Sequence, residues 1–147
     1  MQSITIGKPH EYLRLTAVRW PSDSAPDYVP REKRRYLQAE LRNHDVTANT
    51  RLDLWHDYAG LPQYFEQVVA HWPEWENSSM TWGLSSALRL ELIHGPRPAG
   101  GPDHFSLRIK LQGGHGHRRN FWVLETSMVL SPEELETIAR DIRELTD

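Results

Sequence analysis

The sequence predicts an α+β fold, namely a single twisted, mostly antiparallel sheet of about six or seven strands with two helices. Apolar and polar residues alternate over several short stretches, which is typical of strands with one buried face. The apolar spacing changes to the helical period twice, near residues 61–72 and 132–145. Short polar loops join most of the strands, so we expect neighbouring strands to run antiparallel.

The first third of the chain is rich in predicted strands. Residues 4–6, 12–20, 36–42 and 46–55 alternate between apolar and polar side chains. A turn at residues 43–45 separates the last two, which predicts an antiparallel hairpin. The basic run at residues 31–35 is interpreted as a solvated segment, because it is short, contains Glu32 and belongs to an acidic protein.

The stretch from Leu61 to Trp82 is central to the predicted order of elements, because the spacing of apolar residues changes there from a period of 2 residues to 3.6 and back. One helical stripe holds the apolar residues Leu61, Tyr64, Phe65, Val68 and Trp72. Pro62 suits the first helical turn, and Pro73 is expected to end the helix, since the residue before a proline avoids the helical region. An aromatic turn then leads into the next strand.

Three further strands and a second helix complete the prediction. The strands are expected at residues 87–93, 105–111 and 121–130, with loops at 95–102 and 113–120. Ser131 is placed to cap the second helix, with Pro132 at its first position and Glu134 completing a capping box. Its apolar stripe holds Leu135, Ile138, Ile142 and Leu145.

The composition limits the kind of protein that this chain can be. The chain has 147 residues, enough for one hydrophobic core, and we expect a single α+β domain over residues 1–147. Cysteine is absent, which excludes disulfides, cysteine-ligated zinc and cysteine nucleophiles. The net charge of −3 argues against a nucleic-acid partner, and no apolar run approaches a membrane span. With no visible signal peptide, we expect a cytoplasmic protein.

Few residue patterns point to catalysis. His94, His104, His115 and His117 could form a metal site only if two neighbouring loops met, and a simple meander places these loops at opposite ends of the strands. No serine lies in a nucleophile motif and no glycine-rich loop matches a phosphate-binding pattern. We therefore expect a non-enzymatic protein without a cofactor. A histidine-based metal-dependent enzyme is kept as an alternative.

The tryptophans suggest a second alternative. Trp72 and Trp82 are expected to pack in the core, whereas Trp75 lies between Glu74 and Glu76 and is expected to be exposed. Exposed aromatic residues beside charges are typical of interfaces and of stacking platforms. A small-ligand or carbohydrate-binding module that uses Trp75 and Trp82 is therefore the other hypothesis.

The spaced aromatic residues also carry a family resemblance. The residues concerned are Asp53-Leu54-Trp55, Leu61, Tyr64-Phe65, Ala70, Trp72, Trp75, Trp82, Leu84-Ser85, Leu135-Glu136 and Ile138-Ala139. In them the chain resembles a family of small actinobacterial proteins of unknown function and weakly resembles the WapI-type immunity proteins. The resemblance implies no catalytic residues.

The second of these resemblances implies an interaction protein that inhibits a partner toxin. Because toxin nucleases are often basic, an acidic immunity protein would associate with one faster. The candidate partner contacts are the outward residues Glu40, Asp53, Glu74, Trp75, Glu76 and Glu91.

Overall fold

The computed structural model of the chain describes residues 2–19, 35–53, 60–74, 79–83, 87–95, 103–114 and 121–146, apart from the side chains of Arg35 and Asp53. The strands are β1 (Ser3–Lys8), β2 (Glu11–Arg19), β3 (Arg35–Asn43), β4 (Val46–Asp53), β5 (Ser79–Trp82), β6 (Leu88–His94), β7 (Phe105–Gly113) and β8 (Trp122–Leu130). The helices are α1 (Leu61–His71) and α2 (Pro132–Thr146), and one 3₁₀ turn spans Trp72–Glu74.

These strands form two four-stranded antiparallel sheets, with the orders β1-β2-β3-β4 and β5-β6-β7-β8. The prediction of a single sheet of six or seven strands is therefore wrong. Alternation and turn residues indicate which consecutive strands pair, but they do not show whether β4 also pairs with β5. Helix α1 separates β4 from β5 along the chain, and each meander remains a sheet of its own. β5, only four residues long, was predicted as part of an aromatic turn.

Each sheet buries one face in a common core. In the first sheet Leu13 lies between Ile6 and Leu41, and Leu37 lies opposite Leu52. In the second sheet the buried residues on β6 and β7 are Leu88, Leu90, Leu92, Phe105, Leu107, Ile109 and Leu111. β4 contacts β7 and β3 contacts β8, so the two sheets pack against each other.

Helix α1 confirms the predicted apolar stripe. Gly60 precedes it with a φ of 83°, in the left-handed region that glycine adopts without steric cost. The helix ends before Pro73, where the N–H of Trp72 donates to the carbonyl of Val68. Tyr64 donates its hydroxyl to the carbonyl of Met80 at 2.9 Å, which ties α1 to β5. Burial raises the pKa of this hydroxyl well above its ordinary value of 10.0.

Helix α2 begins with the predicted capping box. The Glu134 N–H donates to Ser131 Oγ and the Ser131 N–H donates to the Glu134 carboxylate, both at 3.2 Å. The helix packs against α1, β1 and β2. Arg143 donates two hydrogen bonds of 2.7 Å to the carboxylate of Glu66 on α1. Both helices therefore close one core, and a bidentate ion pair fixes their contact at the surface.

Polar contacts join the two sheets at the hairpin ends of the first. Asn43, at the end of β3, donates its Nδ2 to the carbonyl of Glu125 on β8 at 3.1 Å. The hydroxyl of Thr126 donates to the carboxylate of Glu11 at the start of β2. These contacts fix where the first sheet rests on β8.

We predict that Phe65→Ala lowers the free energy of unfolding by about 3–5 kcal/mol, because the Phe65 ring is fully buried and its removal leaves a cavity. Phe121→Ala is the matched control, since the Phe121 side chain is 54% exposed. The control should stay within about 0.5 kcal/mol of the wild type in urea denaturation. A loss of less than about 1 kcal/mol for Phe65→Ala would contradict the packing described here.

We predict that Glu66→Gln weakens the protein at neutral pH but not in acid. Hydrogen bonds from Arg143 hold the pKa of Glu66 below its ordinary value of 4.5. A lowered pKa in the folded state gives stability above the unfolded pKa, and this stability is lost as the pH falls through the folded pKa. The variant should melt roughly 1–3 °C lower at neutral pH and match the wild type well below pH 4.

The control for this melting experiment is Glu136→Gln, an exposed position on α2. Its melting curve should follow that of the wild type at every pH. If Glu66→Gln also follows the wild type at neutral pH, the ion pair between the helices contributes no stability.

Candidate functional site

The outer face of the second sheet carries a groove whose described lining residues are all charged. Alternation along the strands buries the leucines and phenylalanine and turns the polar side chains outward. The groove has a volume of about 150 Å³ and is lined by Arg89, Glu91, Arg108, Lys110 and Glu125. We call it the charged groove.

The strand register arranges these residues in two rows. Arg89 lies directly opposite Lys110, and Lys110 lies opposite Glu125. In the next row Glu91 lies opposite Arg108, and their charged atoms are 3.3 Å apart. Arg89 and Lys110 have no ion-pair partner within the described ranges. Like charges directly opposite each other on antiparallel strands are destabilising, and the described carboxylates form no ion pair with either cation to offset this, although Glu125 lies opposite Lys110.

Exposed valines border the charged groove on the same face of the sheet. Val129 is 68% exposed and lies opposite Ser106, and Val123 is 42% exposed and lies opposite Gln112. These two exposed apolar side chains lie on β8, on the same outer face as the charged groove. The face thus combines charge with apolar borders.

The outer face of the first sheet differs from that of the second, because its cation Arg14 already has an ion-pair partner. Glu40 accepts a hydrogen bond from the Tyr12 hydroxyl at 2.7 Å, and Arg14 approaches the same carboxylate oxygen at 3.3 Å. The Arg14 guanidinium also lies 4.8 Å from the centre of the Tyr12 ring. Arg14 therefore has both an anionic and an aromatic contact within its own sheet.

The structure places the sequence-predicted contact residues on different elements. Glu40 lies on β3, Glu91 on β6, and Glu74 in the turn after α1, where it is 3.7 Å from His71. Asp53 ends β4, and its side chain is not among those described. Trp75 and Glu76 lie outside the described residues. Of the three whose side chains are described, Glu91 lines the charged groove and Glu40 and Glu74 do not.

The histidines expected to form a metal site are only partly described. His94 is 4% exposed, stacks on Phe105 with ring centres 4.9 Å apart, and has its Nε2 3.2 Å from the Asp103 carboxylate. His104 packs against Gly95 on the same loop. His115 and His117 lie outside the described residues. In the described part of the chain, no three potential ligands come together to hold a metal.

The burial of the tryptophans tests the carbohydrate-binding hypothesis, which requires exposed rings. Trp72, Trp82 and Trp122 are half-buried and pack against the core. Trp72 makes edge-on contacts with both His94 and Phe105, with ring centres 5.4 Å apart in each case. The other tryptophan of this hypothesis, Trp75, lies outside the described residues. Trp82, the described one of the two tryptophans in the expected stacking platform, therefore packs against the core.

Sequence reasoning missed the charged groove. Alternation correctly turns Arg89, Glu91, Arg108 and Lys110 outward. A long loop joins β6 to β7, so the register that sets Arg89 opposite Lys110 cannot be read from the sequence. Counting alternation across both strands would have shown a basic face, but only the paired register shows that two cations lack partners.

Comparison with known protein families places the chain in one of them. A family model described as a family of unknown function, DUF6228, matches residues 8–147. The chain belongs to this family. The match agrees with the expected family of unknown function, but it carries no information about an actinobacterial origin or about WapI-type immunity proteins. No curated protein matches the sequence.

Two solved structures are similar to the chain at a low level. One is the plant transcriptional regulator PBF-2, with 13% identity, a TM-score of 0.43, and coverage of 98% of this chain and 79% of that one. The other is WHY3 from Arabidopsis thaliana, with 13% identity, a TM-score of 0.43, and coverage of 99% of this chain and 86% of that one. Similarity at this level supports no conclusion about function.

The exclusion of nucleic acid as a partner is a prediction that we correct. It was inferred from the net charge of −3 of the whole chain. That argument is unsound on this structure, because Arg89, Arg108 and Lys110 share one sheet face while α2 carries an excess of carboxylates. Bulk charge does not describe either surface. Among the described helices, none has the length and apolar character needed to cross a membrane.

We predict that Arg89→Gln stabilises the protein by about 0.2–1 kcal/mol at low ionic strength, because it removes the charge opposite Lys110. The gain should shrink in about 1 M salt, which screens the repulsion. Arg108→Gln is the control, since it breaks the 3.3 Å contact with Glu91 and should not stabilise. Denaturation curves that show equal effects for the two variants would contradict the unpaired state of Arg89 and Lys110.

Proposed function

We propose that the protein is a non-enzymatic binding protein that holds an acidic group of a partner protein in the charged groove. One observation carries this proposal: Arg89 and Lys110 lie directly opposite each other in a groove, and neither has an ion-pair partner within the described ranges. A carboxylate placed between the two cations would remove their repulsion and accept hydrogen bonds from both. Charge-assisted hydrogen bonds of this type are about twice as strong as neutral ones.

The surroundings of the two cations favour a protein as the partner. Glu91 and Glu125 also line the groove, so the site offers both signs of charge at close range. A protein surface can match such a mixed pattern, and it can also cover the exposed side chains of Val123 and Val129. Complementary charges of this kind raise the association rate and fix the orientation of the partners.

The lining of the groove supports binding rather than catalysis. Within the described residues it consists of arginine, lysine and glutamate, with no serine, threonine or histidine among them. The buried His94–Asp103 pair lies in the aromatic core beside Phe105 rather than in the groove. The acidic contacts expected for a basic toxin are not part of this proposal, because Glu40 and Glu91 already contact Arg14 and Arg108.

The test uses the double variant Arg89→Gln/Lys110→Gln of the full chain. Two fluorescent probes of equal net charge, a glutamate-rich peptide and a single-stranded oligonucleotide, are titrated by anisotropy at low and physiological salt. We expect the peptide to bind the wild type more tightly than the oligonucleotide, and the double variant to bind the peptide at least about tenfold more weakly. A circular-dichroism melting curve of the double variant, expected to match or exceed the wild type in melting temperature, establishes that it is folded.

The matched control for this titration is Arg140→Gln, which removes an exposed arginine from α2. It should bind the peptide within about twofold of the wild type. Tighter binding of the oligonucleotide would identify nucleic acid as the partner and overturn the proposal. Equal weakening by the control and the double variant would show attraction by overall charge, with no role for the charged groove.

A further inference from the structure

A second groove lies between the edges of the two sheets, away from the charged residues of β6. It consists of two adjoining cavities of about 280 and 310 Å³ that share Gly7, Leu130 and Glu134. Residues 5–8 of β1 line one side, residues 127–130 of β8 line the other, and the first turns of α2 lie at one end. We call it the edge groove.

Strand edges form much of this groove, and Ser106 adds part of the outer face of β7. Successive side chains of a strand point to opposite faces, so a surface that meets four consecutive residues must run along the edge of the strand. Among the described strands, β1 pairs only with β2 and β8 pairs only with β7. Each strand therefore turns toward the groove an edge that no other described strand occupies.

The hydrogen-bond alternation identifies the free backbone groups of β1. The Ala17 N–H donates to the carbonyl of Gln2 at 2.8 Å, and these two residues are in register. In an antiparallel ladder only alternate residues bond to a given neighbour, so Ile4 and Ile6 also bond to β2. The N–H and carbonyl groups of Thr5 and Gly7 then point away from β2, toward the edge groove.

The same alternation applies to β8. Glu125 accepts the Asn43 side chain on its carbonyl, which shows that its backbone groups face away from β7. Ser127 and Val129 share this orientation, because they follow at intervals of two residues. Backbone groups of both strands thus face one groove. The Asn43 and Glu11 contacts at Glu125 and Thr126 cover part of the β8 edge and leave β1 as the more open edge.

The charged side chains around the edge groove are mostly acidic. Lys8 is the one cation lining it in the described part of the chain, against the carboxylates of Glu11, Glu133 and Glu134. Glu11 accepts from Thr126 and Glu134 accepts from Ser131. The carboxylate of Glu133 contacts no described partner. The edge groove therefore favours a ligand with positive side chains.

We propose that the edge groove binds an extended segment of a partner protein that carries basic side chains and pairs with β1 as an added strand. The backbone groups of Thr5 and Gly7 supply the ladder hydrogen bonds, and the bound segment shields these hydrogen bonds from water. Glu133 contacts a lysine or arginine of the segment. The four residues of β1 span about 13 Å, which suits three or four residues of the ligand.

The first experiment is hydrogen exchange on the isotope-labelled full chain. The probes are two fluorescein-labelled peptides of about seven residues, one alternating valine with lysine and the other valine with glutamate. The amides of Thr5 and Gly7 should exchange quickly in the free protein and at least about tenfold more slowly with the lysine peptide. Unchanged exchange at both amides under saturating lysine peptide would overturn the proposal.

The second experiment compares two proline substitutions by fluorescence anisotropy with the lysine peptide. Thr5→Pro removes an N–H that faces the edge groove and spares the ladder with β2. Asn49→Pro is the matched control on the edge strand β4. When the alternation of hydrogen bonds is followed from β2 through β3 to β4, the N–H of residue 49 also faces away from its described neighbouring strand. Thr5→Pro should weaken binding at least about tenfold, and Asn49→Pro should stay within about twofold.

The side-chain contact is tested by Glu133→Gln, which should weaken binding of the lysine peptide by about two- to fivefold and lower its salt dependence. Either equal binding by Thr5→Pro and the wild type, or equal binding of the glutamate and lysine peptides, would overturn the proposal. Circular-dichroism melting curves establish that each variant is folded.

Discussion

The need of each sheet to cover its one apolar face determines the rest of this structure. A sheet whose leucines lie on a single face is not stable in water until that face is buried. Here each sheet buries the face of the other, with β4 against β7 and β3 against β8. Helices α1 and α2 close the remaining side of the core. Four strands followed by a helix occur twice along the chain, so each half supplies one sheet and one helix to the common core.

The same constraint accounts for the position of the charges. Because residues alternate along a strand, burial of Leu88, Leu90 and Leu92 places Arg89 and Glu91 on the outer face. The register then decides which charges become neighbours. On the first sheet it sets Arg14 beside Glu40, which gives an ion pair, whereas on the second it sets Arg89 opposite Lys110. One geometric rule therefore produces an ion pair on one face and two facing cations on the other.

Local structure could be predicted from the sequence, whereas the arrangement of the strands could not. The stripe from Leu61 to Val68 and the capping box at Ser131 follow from contacts between residues a few positions apart. The division into two sheets depends on whether β4 pairs with β5, which no local pattern encodes. β5 was missed because four residues are too few to show alternation. The charged groove was missed because its cations come from two strands whose register was unknown.

The position of the free edges also bears on the solubility of the protein. An exposed strand edge is a template for pairing with another sheet, and repeated pairing of this kind leads to aggregates. The edges of β1 and β8 line a common groove together with the first turns of α2. Glu11, Glu133 and Glu134 beside this groove are present in every copy of the protein, so repulsion between like charges opposes edge-to-edge pairing of two copies. The same charges attract a basic chain, so they protect the folded protein from self-association without any need to remove the edges.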